Sequence, residues 1–168
     1  MNIKPKKSLG QNFLIDRDVL EKIVSTCDVT NKEILEIGAG TGNLTTYILK
    51  KEPKKVYVVE KDDELAILLK EKFENEIEII NNDILKVDED KISNQKLTVF
   101  GNLPYNVSTE ILSKWIININ KKFWFESLVL MFQKEVAEKF GIDLNLRPQN
   151  LKPETYFKLV KEYEDLRS

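Results

Sequence analysis

Ile34-Leu35-Glu36-Ile37-Gly38-Ala39-Gly40-Thr41-Gly42-Asn43 is the stretch that decides the fold of this chain. A short, mostly apolar run enters a segment with glycine at every second position, and a helical pattern from Asn43 to about Lys51 follows. That order reads as strand, tight loop, helix. Without a Cβ, glycine lets the backbone turn sharply and approach a ligand closely. A dinucleotide fingerprint would place a glycine three residues after Gly40, but Asn43 stands there. The loop thus admits two readings: a site for a ligand that has no pyrophosphate, or a plain strand–helix turn.

The same alternation continues on both sides. Upstream, Val19, Leu20, Ile23, Val24 and Cys27 recur at helical spacing, with Asp16 or Asp18 able to cap the first turn and Cys27 expected in the core. Downstream, Lys55 to Glu60 is a second strand, and Asp62 to Phe73 a helix with Leu65, Leu68, Leu69 and Phe73 inward and acids in its first turn. Ile77 to Ile80 and Leu97 to Phe100 give two more strands. Ser108 to about Asn118 is a helix with Ile111, Leu112, Trp115 and Ile116 apolar, Ser127 to Phe132 a fifth strand, and Lys134 to Phe140 the start of another helix. Strands and helices in this order imply βαβ units, and strands rich in Val and Ile imply a mainly parallel sheet covered on both faces. The expected class is α/β, with a Rossmann-like sheet.

In such a sheet ligands sit beyond the carboxyl ends of the strands. The glycine loop, Glu60, Asp83 and Asn102 each follow a predicted strand and should meet there. Glu60 comes 22 residues after Gly38, about where α/β nucleotide-binding folds place a ribose-binding acid; a solvated strand-end acid is the alternative. Asp83 could accept from an adenine amine, although Asn81-Asn82-Asp83 is also good turn chemistry.

Asn102-Leu103-Pro104-Tyr105 follows the apolar run Leu97 to Gly101. A side-chain oxygen and a backbone carbonyl can both accept from an exocyclic amine, and the Tyr105 ring offers a stacking surface. That set fits methyl transfer from S-adenosylmethionine, which has no pyrophosphate, to the N6 of a nucleic-acid adenine. The chemistry needs little acid–base help; it needs the amine held in line with the methyl group. Asn102, Pro104 and Tyr105 are the candidate catalytic residues. A simple β-turn is the alternative.

Composition sets looser bounds. The chain has 168 residues, 42% hydrophobic and 32% charged, an ordinary globular balance for one domain. No apolar run has the ~18–20 residues of a membrane span, and the N-terminus lacks the apolar segment of a signal peptide, so a cytoplasmic protein is expected. With one cysteine, Cys27, no internal disulfide can form, and with no histidine, His-based catalysis and His metal sites are excluded. Residues 60–90 carry twelve acids and four lysines within an overall charge of −2. Elsewhere Lys4, Lys6 and Lys7 form a basic cluster that could touch phosphates or simply be solvated.

Three segments resemble a known family: Leu9-Gly10-Gln11-Asn12-Phe13-Leu14, Glu36 to Gly42, and Gly101-Asn102-Leu103-Pro104-Tyr105-Asn106-Val107-Ser108-Thr109. Together they closely resemble the ribosomal RNA adenine N6,N6-dimethyltransferases, the bacterial small-subunit type more than the antibiotic-resistance large-subunit type. The resemblance covers roughly residues 4–140. It implies a class I S-adenosylmethionine-dependent methyltransferase domain with Asn12, Leu14, Gly38, Gly40, Glu60, Asp83 and Asn102 on the cofactor. It also implies that Gln11 to Leu14 lie over the cofactor as an N-terminal lid. The implied reaction is dimethylation of two adjacent adenines in a hairpin near the 3′ end of small-subunit (16S) rRNA, on an immature 30S particle, with no membrane partner.

After Phe140 the chain departs from the family. A basic loop, two strands completing a seven-strand sheet and most of a helical domain are expected, yet Gly141 to Pro148 follows at once. Residues 141–168 resemble only the end of the family's helical, RNA-binding domain, with a helix from Pro153. The reading is a methyltransferase domain over 1–140 and a remnant over 141–168. Its fifth strand would be left as an apolar edge, so a monomer is expected of the complete form and self-association of this one. A catalytically inactive cofactor- or RNA-binding module is the competing reading. A DNA adenine methyltransferase is disfavoured because Asn102-Leu103 replaces the Asp-Pro expected there.

Overall fold

In the computed structural model, which describes residues 6, 11, 13–103, 107–118 and 124–131, with the side chains of 109, 112 and 116–118 apart, five strands form one parallel sheet. They are β1 (Glu33–Ile37), β2 (Lys55–Glu60), β3 (Glu78–Asn81), β4 (Leu97–Asn102) and β5 (Phe125–Met131). Their order across the sheet is β3-β2-β1-β4-β5, every pair parallel. The connection reverses direction between β1 and β4, so the crevice of this α/β sheet opens beyond the ends of those two strands.

Alternate residues of each strand feed two cores. On one face Ile34, Val56, Val58 and Phe100 pack with Leu20, Val24, Ile48, Leu69 and Phe73. These come from helices α1 (Arg17–Val24), α2 (Asn43–Leu49) and α3 (Asp63–Phe73). On the other face Leu35, Tyr57, Val59 and Val99 meet Ile111 and Trp115 of α4 (Ser108–Asn118), together with Ile84, Val87 and Trp124. All five residues of β1 are buried, as continuous apolar strands in a covered parallel sheet require.

The expected elements appear with shifted ends. β3 is Glu78–Asn81, one residue later than the apolar run Ile77 to Ile80, because Asn81 pairs with Glu60. β4 runs on to Asn102 through its pairing with Met131. β5 begins two residues early, at Phe125. α1 ends at Val24, with Asp16 rather than Asp18 as its cap: the Asp16 carboxylate accepts from the Val19 N–H at 3.0 Å. Val19 is 39% exposed instead of inward. Cys27 lies past the helix, half-buried against the core, where burial pushes its thiol pKa up. Phe132, the helix expected from Lys134 and everything in residues 141–168 lie outside the described residues, as do Lys4 and Lys7. Among the described residues no helix is long and apolar enough to cross a membrane.

Candidate active site at the carboxyl edge of the sheet

Because all strands are parallel, their carboxyl ends share one edge. Register brings Ile37 opposite Val59 on one side and Gly101 on the other, so the glycine loop emerges between the ends of β2 and β4. Gly38 has φ +67, and the nearest atom to a Cβ built there would be the Asn102 carbonyl at 3.9 Å. The glycine is therefore set by conformation and leaves open space in front. Gly42, also left-handed at φ +74, is set by packing: a Cβ would come within 2.4 Å of the Phe73 ring. Lys72 closes the loop from below, its ammonium donating to the carbonyls of Thr41 (2.9 Å) and Gly42 (3.2 Å).

Glu60 ends β2 and is only 6% exposed. The Gly40 N–H donates to Oε2 at 3.1 Å and the Asp62 N–H to Oε1 at 3.0 Å. Each carboxylate oxygen has about two acceptor sites, so the carboxylate keeps acceptor capacity beyond the backbone donors of Gly40, Asp62 and Lys61. Burial raises its pKa, against the pull of those backbone donors. The neighbouring strand end is tied in by Asn81, whose amide donates to the Glu60 carbonyl at 3.0 Å.

Asp83 follows β3 on the same edge. Its Oδ1 accepts from the Leu85 N–H at 3.1 Å and caps the short turn Ile84–Lys86, while Oδ2 pairs with Lys61 at 2.7 Å. The Lys61 contact first, and the cap after it, hold the Asp83 pKa down. Asn102 and Leu14 line the same pocket as Gly38 and Gly40, with Phe13, Glu36 and Asn43. Leu103 turns back into the core at 4% exposure, which anchors the chain right after Asn102. Asn12, Pro104 and Tyr105, assigned to this site from sequence, lie outside the described residues.

Two features went unread in the sequence. Glu36, seen there as part of a strand, is a fully buried carboxyl on the pocket wall. It accepts from the Thr45 hydroxyl at 2.6 Å, and burial pushes its pKa up to about 7. Its place between apolar Leu35 and Ile37 was the available signal. Asn43, noted only as a missing glycine, donates its amide to the Leu14 carbonyl at 2.9 Å and so clips the N-terminal segment to the start of α2. Lys6, read as part of a free basic arm, is instead ion-paired with Asp62 at 2.9 Å and Glu64 at 3.2 Å.

The arrangement has a buried strand-end acid, a left-handed glycine turn and a second buried carboxyl on one sheet edge. Residues 2–150 match the family model described as ribosomal RNA adenine dimethylase. The chain belongs to the ribosomal RNA adenine dimethylase family. Within this dimethylase family it is 52% identical to a Pelagibacter ubique protein named ribosomal RNA small subunit methyltransferase A, over 261 positions taking in 99% of this chain and 100% of the relative. An alignment that long against 168 residues opens a wide gap on this chain's side. A Mesomycoplasma hyopneumoniae protein of the same name is 46% identical over 80% of this chain and 50% of its own length. Among solved structures, the 23S rRNA methyltransferase ErmE superposes with a TM-score of 0.64 at 28% identity, covering 76% of this chain and 50% of that one. A dimethyladenosine transferase from Plasmodium falciparum gives 0.63 at 29%, covering 79% and 47%. The chain thus spans about half the length of each of these last three proteins.

Proposed function

We propose that the chain binds S-adenosylmethionine at the carboxyl edge of its sheet and dimethylates the N6 amines of two adjacent adenines near the 3′ end of 16S rRNA, on immature small subunits in the cytoplasm. The observation that carries the reading is the meeting of Gly38, Glu60 and Asn102 on one parallel-strand edge. The residues fit the cofactor: Glu60 keeps acceptor capacity for a ribose hydroxyl, and Gly38 leaves room for close approach. Glu36 places a carboxyl on the wall of a pocket meant for a cation.

The bound cofactor supplies an electrophilic methyl group. The chain's own work is positional. The Asn102 side chain and the Pro104 carbonyl accept from the two N–H groups of the target amine, drawing its lone pair out of conjugation with the ring and aiming it at the methyl group. Tyr105 stacks on the base, worth roughly 1–3 kcal/mol by comparison with single-strand stacking. The adenine must be unpaired or extruded to reach this edge. Asp83 accepts from the cofactor's adenine amine through the capacity left on its Oδ2.

The test is Asn102→Ala, assayed for methyl transfer to immature small subunits, and in an uninterrupted relative as well. Transfer should fall at least about a hundredfold, in the range typical of losing one preorganised hydrogen-bonding group at a reacting centre, with the melting temperature little changed. A mutant that methylates at the wild-type rate removes Asn102 from the reaction.

A further inference from the structure

Asp62 does more than start α3. Its carboxylate, 2% exposed, accepts from the Glu64 and Leu65 N–H groups at 3.0 and 3.4 Å through Oδ1, the ordinary helix cap. It also receives two side chains from the far end of the sequence. The Lys6 ammonium bridges both oxygens, 2.9 Å from Oδ2 and donating to Oδ1 at 3.2 Å, and the Gln11 amide donates to Oδ2 at 3.1 Å. Lys6 and Gln11 are in turn joined to each other: the Lys6 N–H donates to Gln11 Oε1 at 2.8 Å, and the Gln11 N–H to the Lys6 carbonyl at 3.4 Å.

This knot sits at one end of a short strap. At the other end the Leu14 carbonyl is clipped by Asn43 at 2.9 Å. Between the two stitches, the Phe13 ring lies against Gly40, 3.0 Å from where a Cβ would stand, and Phe13 and Leu14 form part of the pocket wall. The knot is also wired to the acid of the site, because the Asp62 N–H donates to Glu60 Oε1.

We infer that Asp62 is a positioning residue for the cofactor: by knotting Lys6 and Gln11 it holds the strap through Phe13 and Leu14 closed over the glycine loop. The inference rests on the reading of this edge as a cofactor site. Burial alone would raise the Asp62 pKa, but the Lys6 and Gln11 hydrogen bonds outweigh it and the net shift is downward, so the carboxylate stays charged for Lys6.

Asp62→Asn separates the two duties. Its amide oxygen can keep the Oδ1 position and cap α3 as well as aspartate does. Its NH2 then faces the Gln11 amide and the Lys6 ammonium where Oδ2 stood, and with the carboxylate charge gone Lys6 keeps only a neutral acceptor at Oδ1, so the knot loosens. S-adenosylhomocysteine should bind about tenfold more weakly as the closed strap falls to about one molecule in ten, chiefly through faster dissociation, with the melting temperature nearly unchanged. Lys6→Met should do the same, and combining it with Asp62→Asn should add little. Independently of any ligand, amide exchange in the segment 11–16 should rise in Asp62→Asn. Unchanged exchange overturns the knot. Raised exchange with wild-type affinity, or full additivity of the two mutations, overturns its role in holding the cofactor. A wild-type chain that takes up no S-adenosylhomocysteine overturns the reading of the site instead, while the exchange measurement still scores the knot.

Discussion

Glu36 is the residue whose ionisation most affects this site. It is fully buried with one hydroxyl donor, and its pKa is about 7 against an unfolded value near 4.3. The folded form therefore holds its proton over a range where the unfolded chain has lost it. Stability falls as pH rises from about 4.5 to about 7, by at most about 4 kcal/mol. Glu36→Gln keeps an oxygen for the Thr45 hydroxyl and carries no charge, so its melting temperature should decline less than the wild type's between pH 5 and 7, the remaining decline coming from Glu60, whose pKa burial also raises. Parallel declines in both would remove Glu36 as the cause. A cationic cofactor favours the ionised form, so wild-type affinity for S-adenosylmethionine should strengthen as pH rises through about 7, and Glu36→Gln should lose that dependence. Such behaviour is invisible in sequence. A glutamate within an apolar strand announces burial, but only the Thr45 contact and the pocket wall show what it faces.

The elements owe their positions to packing that single residues decide. At Gly42 an alanine would meet the Phe73 ring at 2.4 Å and Leu69 at 2.9 Å, in a left-handed conformation. The conformation disfavours alanine by roughly 1–2 kcal/mol, and overpacking adds typically 1–3. Gly42→Ala should lower the unfolding free energy by about 2 kcal/mol or more in urea titration. Gly38→Ala faces open space and should lose only the conformational part, about 1 kcal/mol, while weakening cofactor binding more than Gly42→Ala does. Equal stability losses would contradict the distinction between a packing glycine and a ligand-facing one. The glycine pattern was legible in sequence, and so were all five strands, because each is a continuous apolar run in a sheet covered on both faces. Strand ends were not. Asn81 and Asn102 join the sheet through partners, Glu60 and Met131, that local pattern cannot reveal. Cys27 leaves the α1 face because the helix ends at Val24, though it still packs against the core.

For the whole molecule, β5 is the last strand of the sheet among the described residues. Its side chains are largely half-buried, with Leu128, Leu130 and Met131 apolar. The Pelagibacter relative aligns over 261 positions against the 168 residues of this chain, so part of that relative has no counterpart here; we place the missing part beyond this strand. An uncovered strand edge offers unpaired backbone groups to other chains. The 168-residue chain should therefore self-associate in light scattering, and should methylate immature small subunits far more slowly than an uninterrupted relative. A clean monomer with a normal rate would show the absent segment to be dispensable. The departure expected after Phe140 is read from sequence alone, since the residues that follow lie outside the described part.

The functional expectations depend on the sheet edge being a cofactor site, and calorimetry with S-adenosylhomocysteine addresses that directly. The wild-type chain should show saturable one-to-one binding. Glu60→Ala should weaken it at least about tenfold, since hydrogen bonds to a charged group are worth roughly 1.5–3 kcal/mol each. The mutant must still melt cooperatively, because the Gly40 and Asp62 N–H groups lose their acceptor along with the ligand. A folded Glu60→Ala chain that binds as tightly as the wild type would contradict the account.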